Sequence, residues 1–160
     1  MDTIGFDSHD HSACRTGGLE TVVAQCNAQG LNLTPVRRRV LEILLEDHRA
    51  LGAYEILDRL REEGHGSQPP VAYRALEFLT SHGFAHKIER LNAFTACTHP
   101  GHNHAPVFLI CRICNSVAEG MAEPAKGNLR RVAAETGFKI ERTVTEAEGI
   151  CPNCQKKAAA

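Results

Sequence analysis

Four successive segments in the first half of the chain carry apolar residues at intervals of three and four, and this spacing predicts four amphipathic helices. Thr34 and Pro35 are residue types that cap and begin a helix, here the second. Gly30, Gly64 and Gly83 are placed to end the first, third and fourth helices. The positions expected to face the core, in chain order, are Leu19, Val22, Val23, Cys26, Val36, Val40, Ile43, Leu44, Ala53, Ile56, Leu57, Leu60, Ala72, Ala75, Leu76 and Leu79.

After the fourth helix the spacing gives way to two short stretches, 85–91 and 93–97, which predict a β-hairpin that turns at Asn92. Three or four helices followed by a hairpin is the order of elements in a winged-helix domain. We therefore predict an α+β fold in which residues 19–97 form an N-terminal winged-helix DNA-binding domain. Residues 1–18 carry few apolar side chains and are predicted to be a flexible tail.

The second half of the chain predicts a small α/β domain over residues 107–160. It begins with an apolar strand at 107–110, continues with a helix at 123–136, and then has an alternating strand at 138–144. The segment 98–106 is rich in His, Gly and Pro and is interpreted as a hinge between the two domains.

Composition limits the size of either core. The 160 residues include no Trp, and aromatic residues make up 5%, so one domain is expected to need a stabilising force besides apolar burial. No run of about 18 apolar residues suggests a membrane-spanning helix, and the acidic, polar start lacks the features of a secretory signal. We expect a cytoplasmic protein, in which grouped cysteines more often bind metal than form disulfides.

The net charge of −1 does not by itself indicate a nucleic-acid binder. Residues 1–90 hold ten Lys/Arg and thirteen Asp/Glu, so the predicted DNA-binding domain is slightly acidic. DNA binding must therefore depend on where the basic side chains lie and not on the total charge.

The most specific motifs are two Cys-X-X-Cys pairs, CRIC at 111–114 and CPNC at 151–154. Each pair places two sulfurs on one tight turn, and two such turns complete a tetrahedral zinc site. A thioredoxin-type redox pair is the alternative, but that motif opens a long helix and would occur once. We predict a structural zinc bound by Cys111, Cys114, Cys151 and Cys154, a kind of site that contributes ~10–16 kcal/mol to the folding of small zinc modules.

A second set of metal-binding side chains surrounds the predicted hinge. An isolated histidine is more often a solvated or core residue, so the prediction depends on the whole set. One ion bound by all of them would fix the angle between the two domains. His99 and His102 are either solvated hinge residues or a third, weak site. The set combines nitrogen, sulfur and carboxylate donors, which suit zinc, and consists of His86, Cys97, His104 and Glu119.

These residues lie within motifs that resemble the ferric uptake regulator superfamily and, within it, the zinc uptake regulator branch. The resemblance runs from about Leu31 to Cys154, which is most of the chain. Together the motifs are highly specific, although any one of them alone would be weak. The matching stretches are LTPVRRRVLEIL, AYEILDRL, PPVAYRALEFL, GFAHKIE, FLICRICNSVAE and GICPNC.

The resemblance implies a zinc-responsive transcriptional repressor of zinc-uptake genes, which is not an enzyme and dimerises through its C-terminal domain. By motif position, the four cysteines correspond to a structural zinc site, and His86, Cys97, His104 and Glu119 correspond to a sensory zinc site. Two zinc ions per chain are therefore expected. The implied partners are a second copy of the chain and double-stranded DNA carrying an AT-rich palindromic operator, with neither a membrane nor a small-molecule substrate.

Arg74 is the residue best suited to recognise a DNA base, because it lies on the polar face of the predicted fourth helix. An arginine there can donate bidentately to guanine N7 and O6, which is worth about 1–3 kcal/mol of base discrimination. Tyr73 either packs or contacts a phosphate, and the resemblance places Tyr54 near DNA. The triplet Arg37, Arg38 and Arg39 is interpreted either as phosphate contacts or as an ordinary solvated helix face.

Alternative functions differ in what they require of these sites. An iron- or peroxide-responsive regulator of the same superfamily would rely on histidines and carboxylates, whereas Cys97 favours zinc. A zinc-dependent hydrolase needs an open coordination position and a general base, and a four-donor site is closed. A thiol oxidoreductase would use the cysteine pairs, and a structural zinc-ribbon adaptor would leave His86, Cys97 and Glu119 without a role.

Overall fold

The computed structural model describes residues 5–6, 11–46, 48–66, 68–102, 104–121 and 127–159, without the side chains of His11 and Cys14. The chain divides into two compact units. The N-terminal unit is Asp7–His102, and the C-terminal unit is Asn103–Ala160 together with Met1–Phe6.

The N-terminal unit has four helices followed by a hairpin, as the spacing of apolar residues predicts. The second helix begins where expected, because the Thr34 side chain accepts a hydrogen bond of 3.3 Å from the Arg37 backbone N–H and Pro35 follows the cap. The hairpin turns through Asn92, whose φ of 45° is left-handed. The elements are α1 (His11–Gln29), α2 (Pro35–Leu45), α3 (Ala53–Glu62), α4 (Pro69–Ser81), β1 (Ala85–Ile88) and β2 (Ala93–Ala96).

The core of this unit contains nearly all the predicted inward positions, with Leu19 and Val36 packed at its margin. Val23 is half-buried and is not part of this core. Leu51 and Phe94 exchange two backbone hydrogen bonds of 2.9 and 2.7 Å, which tie the hairpin to the segment before α3. This arrangement of helices and hairpin is that of a winged helix.

The predicted flexible tail is wrong for residues 11–18, which form the first turns of α1. Gly17 and Gly18 lower helix propensity and suggested a loop. Gly18 lies at a close approach of α1 to α2, where a Cβ built on it would be 3.0 Å from Leu45 Cδ2. Gly18 thus lowers the helix propensity of this segment, but its lack of a side chain permits the close packing of α1 against α2. The rest of the predicted tail lies mostly outside the described residues.

The C-terminal unit has a three-stranded sheet with the order β4–β3–β5, in which β3 is antiparallel to β4 and parallel to β5. Among its described residues, the buried apolar side chains include Phe108, Ile110, Val117, Ala118 and Ala133. The unit is therefore α/β, as predicted. Its elements are β3 (Pro106–Cys111), β4 (Val117–Met121), α5 (Asn128–Thr136), β5 (Thr145–Gly149) and α6 (Pro152–Ala158).

The predicted strand at 138–144 is wrong, because the strand that pairs with β3 is 145–149. Alternation of side chains shows which residues could lie in a sheet, but it does not determine which backbone segment pairs. Here the register places Cys111 opposite Gly149, so the chain turns into CPNC beside the end of CRIC. Neither β4 nor α6 was predicted, and the residues expected at the start of the fifth helix, 123–126, lie outside the described part of the chain.

Candidate metal centres

The two Cys-X-X-Cys motifs meet in the C-terminal unit. Cys111 ends β3, Cys114 follows on a turn through the left-handed Asn115, Cys151 caps α6, and Cys154 lies in its first turn. The four sulfurs all lie within 4.8 Å of one another. The Cys114 and Cys151 sulfurs are 3.8 Å apart, and a tetrahedron with metal–sulfur bonds of ~2.3 Å has edges of about this length.

Three thiols of this cluster, those of Cys111, Cys114 and Cys154, have pKa values that are shifted in different directions. Burial alone would raise the pKa of Cys111, but backbone N–H groups of Cys151, Cys114 and Ile113 aimed at the sulfur lower it to about 6. Ser116 beside Cys114 lowers the pKa of that thiol. The neighbouring Cys151 sulfur, together with burial, raises the pKa of Cys154 to about 12. The surroundings thus favour ionisation of Cys111 and Cys114 and oppose that of Cys154, and a divalent, thiophilic metal would supply the positive charge that offsets this opposition.

Contacts around the cluster keep it in place. Phe6 and Ile150 pack against the buried cysteines, and Asn153 Nδ2 donates a hydrogen bond of 3.0 Å to the Phe6 carbonyl oxygen. The Cys111 backbone N–H donates to the Ser116 carbonyl oxygen at 2.9 Å. Phe6, Asn153 and Ser116 were not predicted from the sequence, since only the fold brings Phe6 to α6.

His86 and Cys97 lie together in the N-terminal unit. His86 is on β1 opposite Thr95, and Cys97 directly follows β2, where its backbone N–H donates 3.0 Å to the Phe84 carbonyl oxygen. Both side chains are buried, and their donor atoms lie within 4.8 Å of each other. The hairpin thus presents one nitrogen and one sulfur donor side by side.

His104 and Glu119 form a matching pair in the C-terminal unit. His104 lies just before β3, and Glu119 lies on β4 opposite Phe108. The His104 Nε2 and Glu119 Oε1 atoms are 2.9 Å apart, with 8% and 3% of the two side chains exposed. A buried carboxylate is costly unless it is paired or bound to a cation, and here it lies against a metal-binding imidazole.

His99 and His102 do not belong to any group of close metal-binding side chains in the described residues. The His99 backbone N–H lies 3.4 Å from the Cys97 sulfur, and its ring Nδ1 is 2.9 Å from Thr98 Oγ1. The third, weak site therefore gains no geometric support, and it stays a prediction.

The predicted DNA contacts on α3 and α4 are exposed. Tyr54 is 64% exposed at the start of α3, and Tyr73 is 48% exposed on α4. Arg74 is also exposed, opposite the buried face of α4, and makes no hydrogen bond or ion pair with other described residues. Its guanidinium is therefore available to an outside partner.

The arginine triplet on α2 is engaged with the protein. Arg37 donates to the Asn32 carbonyl oxygen at 2.6 Å and stacks 4.0 Å from the centre of the Phe78 ring. Arg38 pairs with Glu42 at 3.1 Å and is 53% exposed. Arg39 pairs with three glutamates, and its side chain is 21% exposed. The triplet is therefore not a uniform solvated face.

No helix among the described residues combines the length and the hydropathy needed to cross a membrane.

Comparison with known proteins gives consistent matches. The sequence model of the Ferric uptake regulator family matches residues 28–147. The zinc uptake regulation protein of Escherichia coli (strain K12) is 38% identical over 132 residues, covering 81% of this chain and 76% of that protein. A solved zinc uptake regulator complexed with zinc and DNA has a TM-score of 0.85 at 34% identity, covering 91% of this chain and 98% of the other. The crystal structure of holo XcZur has a TM-score of 0.78 at 39% identity, covering 90% and 99%.

Proposed function

The chain belongs to the ferric uptake regulator family, and from this premise we propose that it is a zinc-responsive, DNA-binding transcriptional repressor of zinc-uptake genes. Its relatives include a zinc uptake regulation protein and a zinc uptake regulator solved with zinc and DNA. The family is one of regulators, so the chain is not an enzyme. We place its action in the cytoplasm, where such a repressor meets DNA.

A structural zinc is assigned to Cys111, Cys114, Cys151 and Cys154. Two observations support this assignment: the four sulfurs lie within 4.8 Å of one another, and one sulfur pair is separated by the edge length of a zinc–thiolate tetrahedron. Zinc would supply positive charge that stabilises thiolates at this site. Its role here is to join β3 to α6 in a unit with a small core.

A sensory zinc is assigned to the side chains of His86, Cys97, His104 and Glu119. Each unit contributes one buried pair of donors, and a tetrahedral zinc needs four ligands. The observation that carries the assignment is the Cys97 thiol buried beside His86, because a sulfur donor selects zinc over iron or manganese. Zinc bound by both pairs would favour the interdomain geometry that recognises DNA, which is how a ligand shifts a conformational equilibrium.

DNA recognition is assigned to α4, with Arg74 contacting a base edge and Tyr73 a phosphate. Tyr54 and Arg38 are proposed as further backbone contacts because both are exposed. Arg37 is proposed as a further phosphate contact through guanidinium N–H groups other than the Nη1 that donates to Asn32. Phosphate contacts of this kind position the protein but do not specify sequence. A palindromic, AT-rich operator is the proposed target.

The homodimer is assigned to a face of the C-terminal unit. There α5 and the segment that follows it leave an open groove of about 360 Å³. Four apolar side chains around it are 38–68% exposed. A contiguous apolar surface of this kind indicates a protein interface, and two copies would present two recognition helices to a palindrome. The exposed residues are Leu129, Val132, Phe138 and Val144.

The test is a metal titration followed by DNA binding. The protein is stripped of exchangeable metal and titrated with zinc, iron(II) or manganese(II), using a duplex that the zinc-loaded protein selects from random-sequence DNA. We expect tight binding to appear with zinc, at two zinc ions per chain. Cys97→Ser should retain one zinc and lose the response. Equal DNA binding with and without exchangeable metal would contradict the proposal.

An iron- or peroxide-responsive regulator is the second candidate, because His86, His104 and Glu119 are also donors that iron accepts. Iron(II) giving tighter operator binding than zinc at equal free concentration would establish it. Retention of the metal response in Cys97→Ser would point the same way.

A further inference from the structure

Arg39 lies at the centre of an ion-pair network between α2 and α3. Its Nε and Nη2 atoms donate to the two carboxylate oxygens of Glu63 at 2.6 and 2.7 Å, a bidentate fork. Its Nη1 donates to Glu42 and its Nη2 also to Glu46, each at 3.1 Å. Arg59 on α3 pairs with Glu46 at 3.0 Å. The network thus ties the middle of α2 to the end of α3.

The network leaves Arg39 poorly placed to contact a phosphate. All three guanidinium nitrogens already donate to carboxylates, and the side chain is 21% exposed. The surrounding glutamates would have to be displaced, and their negative charge would repel DNA. Its neighbour Arg38, at 53% exposure with one carboxylate partner, is free of these constraints.

Glu63 caps the end of α3 in the turn that leads to α4. The turn is a Schellman motif: the Gly64 N–H donates to the Arg61 carbonyl oxygen at 3.0 Å, and the His65 N–H to that of Leu60 at 2.8 Å. Gly64 and Gly66 have φ of 76° and 121°, conformations that favour glycine and leave the turn without stiff side chains. The cap of α4, Gln68, makes no side-chain capping bond.

We propose that Arg39 and Glu63 clamp the turn between α3 and α4, so that Arg39 is a positioning residue for the DNA-reading helix and not itself a DNA contact. The bidentate fork fixes the start of the turn against α2. The start of α4, five residues before Arg74, then has a defined position on the core. The lowered pKa of Glu63, caused first by its hydrogen bond with Arg39, is consistent with a tight pair. The inference rests on the proposed DNA-binding function for its significance.

The test compares four variants with the zinc-loaded wild-type protein: Arg39→Gln, Arg39→Lys, Glu63→Gln and the double variant R39Q/E63Q. Binding is measured to the duplex selected from random DNA and to a scrambled duplex of equal composition, over a range of salt concentrations. Thermal unfolding shows whether each variant is folded. Lys157→Gln, which removes an exposed cation from α6, controls for the loss of positive charge.

The clamp predicts that Arg39→Gln and Glu63→Gln each weaken binding to the selected duplex roughly tenfold, with no further loss in the double variant. Arg39→Lys should weaken binding too, since lysine keeps the charge but not the fork. The salt dependence should be unchanged. A phosphate contact predicts the reverse: Glu63→Gln binds at least as well as wild type, Arg39→Lys retains affinity, and Arg39→Gln lowers the salt slope by about 1.

Hydrogen exchange separates this inference from the proposed function. The clamp predicts faster exchange of the amides of residues 63–66 in both Arg39→Gln and Glu63→Gln, whether or not the protein binds DNA. If the wild type selects no duplex, the proposed function fails while this measurement still decides the clamp. Unchanged exchange in both variants would overturn it.

Discussion

The two units are stabilised by different means. In the N-terminal unit, side chains from four helices and a hairpin form an extensive apolar core in which Ile56 and Leu60 are fully buried. Among the described residues of the C-terminal unit, fewer apolar side chains are buried, and a separate cluster of cysteines brings α6 to the end of β3. We therefore expect metal to be dispensable for folding of the N-terminal unit and required for folding of the C-terminal unit.

The surfaces of the two units differ as well. Within the described residues, the exposed large hydrophobic side chains of the N-terminal unit are tyrosines, Tyr54 and Tyr73. Those of the C-terminal unit are aliphatic or Phe, including Val132 and Phe138. A tyrosine offers a hydroxyl to a polar partner such as a phosphate, whereas an aliphatic patch suits another apolar surface. The first unit is thus suited to DNA and the second to a protein partner.

The largest effect is expected from Cys111→Ser. It removes one of the four proposed zinc ligands, so we expect a contribution on the order of 10 kcal/mol to the C-terminal unit to be lost and this unit to unfold. Hydrogen exchange read separately for each unit, with zinc content by atomic absorption, measures the outcome. Cys97→Ser, the same change in the N-terminal unit, should leave both units folded. A folded C-terminal unit with no bound zinc would contradict the expectation that folding of this unit requires metal.

Leu60→Ala should destabilise the N-terminal unit by about 2–5 kcal/mol, because it leaves a cavity in a well-packed core. Denaturant unfolding followed by circular dichroism measures the change, and Ile56→Val, a smaller deletion in the same core, should cost about 0.5–1.5 kcal/mol. The cysteine site should keep its zinc in both variants. Release of that zinc by Leu60→Ala would show that the two units fold as one.

Sequence patterns predicted the N-terminal unit better than the C-terminal one, for a physical reason. A helix that packs on one face has apolar residues at intervals of three and four, so this spacing predicts the inward positions from Val40 to Leu79 directly. In the C-terminal unit β5 reads TEAEG and is mostly exposed, so no apolar pattern indicates it. β5 pairs with β3 in the register that brings Cys151 close to Cys111. No local sequence pattern encodes this register.

The candidate sites were predictable to different degrees. Two Cys-X-X-Cys pairs predicted a single four-sulfur cluster, and the four sulfurs lie within 4.8 Å of one another. The sequence could not show which arginine of the triplet is free to contact DNA. Arg39 differs from Arg37 and Arg38 because it pairs with Glu63, which is twenty-four residues away. The i,i+3 pair with Glu42 was visible in the sequence, but the long-range fork depends on how α3 packs against α2.

Thr34→Ala should cost about 1 kcal/mol, since it removes the side-chain acceptor for the Arg37 N–H at the start of α2. Thr34→Ser keeps the acceptor and serves as the matched control. Thermal unfolding of the N-terminal unit is the measurement. A loss as large as that of Leu60→Ala would mean that the cap orders more of the unit than its own helix.

Phe138→Glu should have the smallest effect on the folding of a single chain, within about 0.5 kcal/mol, because the side chain is 68% exposed and surface changes of this kind are nearly neutral. The same change should abolish the proposed dimer, since in it a carboxylate would be buried against an apolar surface of the second copy. Sedimentation velocity on the zinc-loaded protein measures association, and Lys139→Glu, the same carboxylate on the next, exposed residue, is the control. A dimer that survives Phe138→Glu would place the interface elsewhere. The exposed apolar side chains of α5 and the segment after it would then indicate a different binding partner, since contiguous exposed apolar surface is typical of an interface.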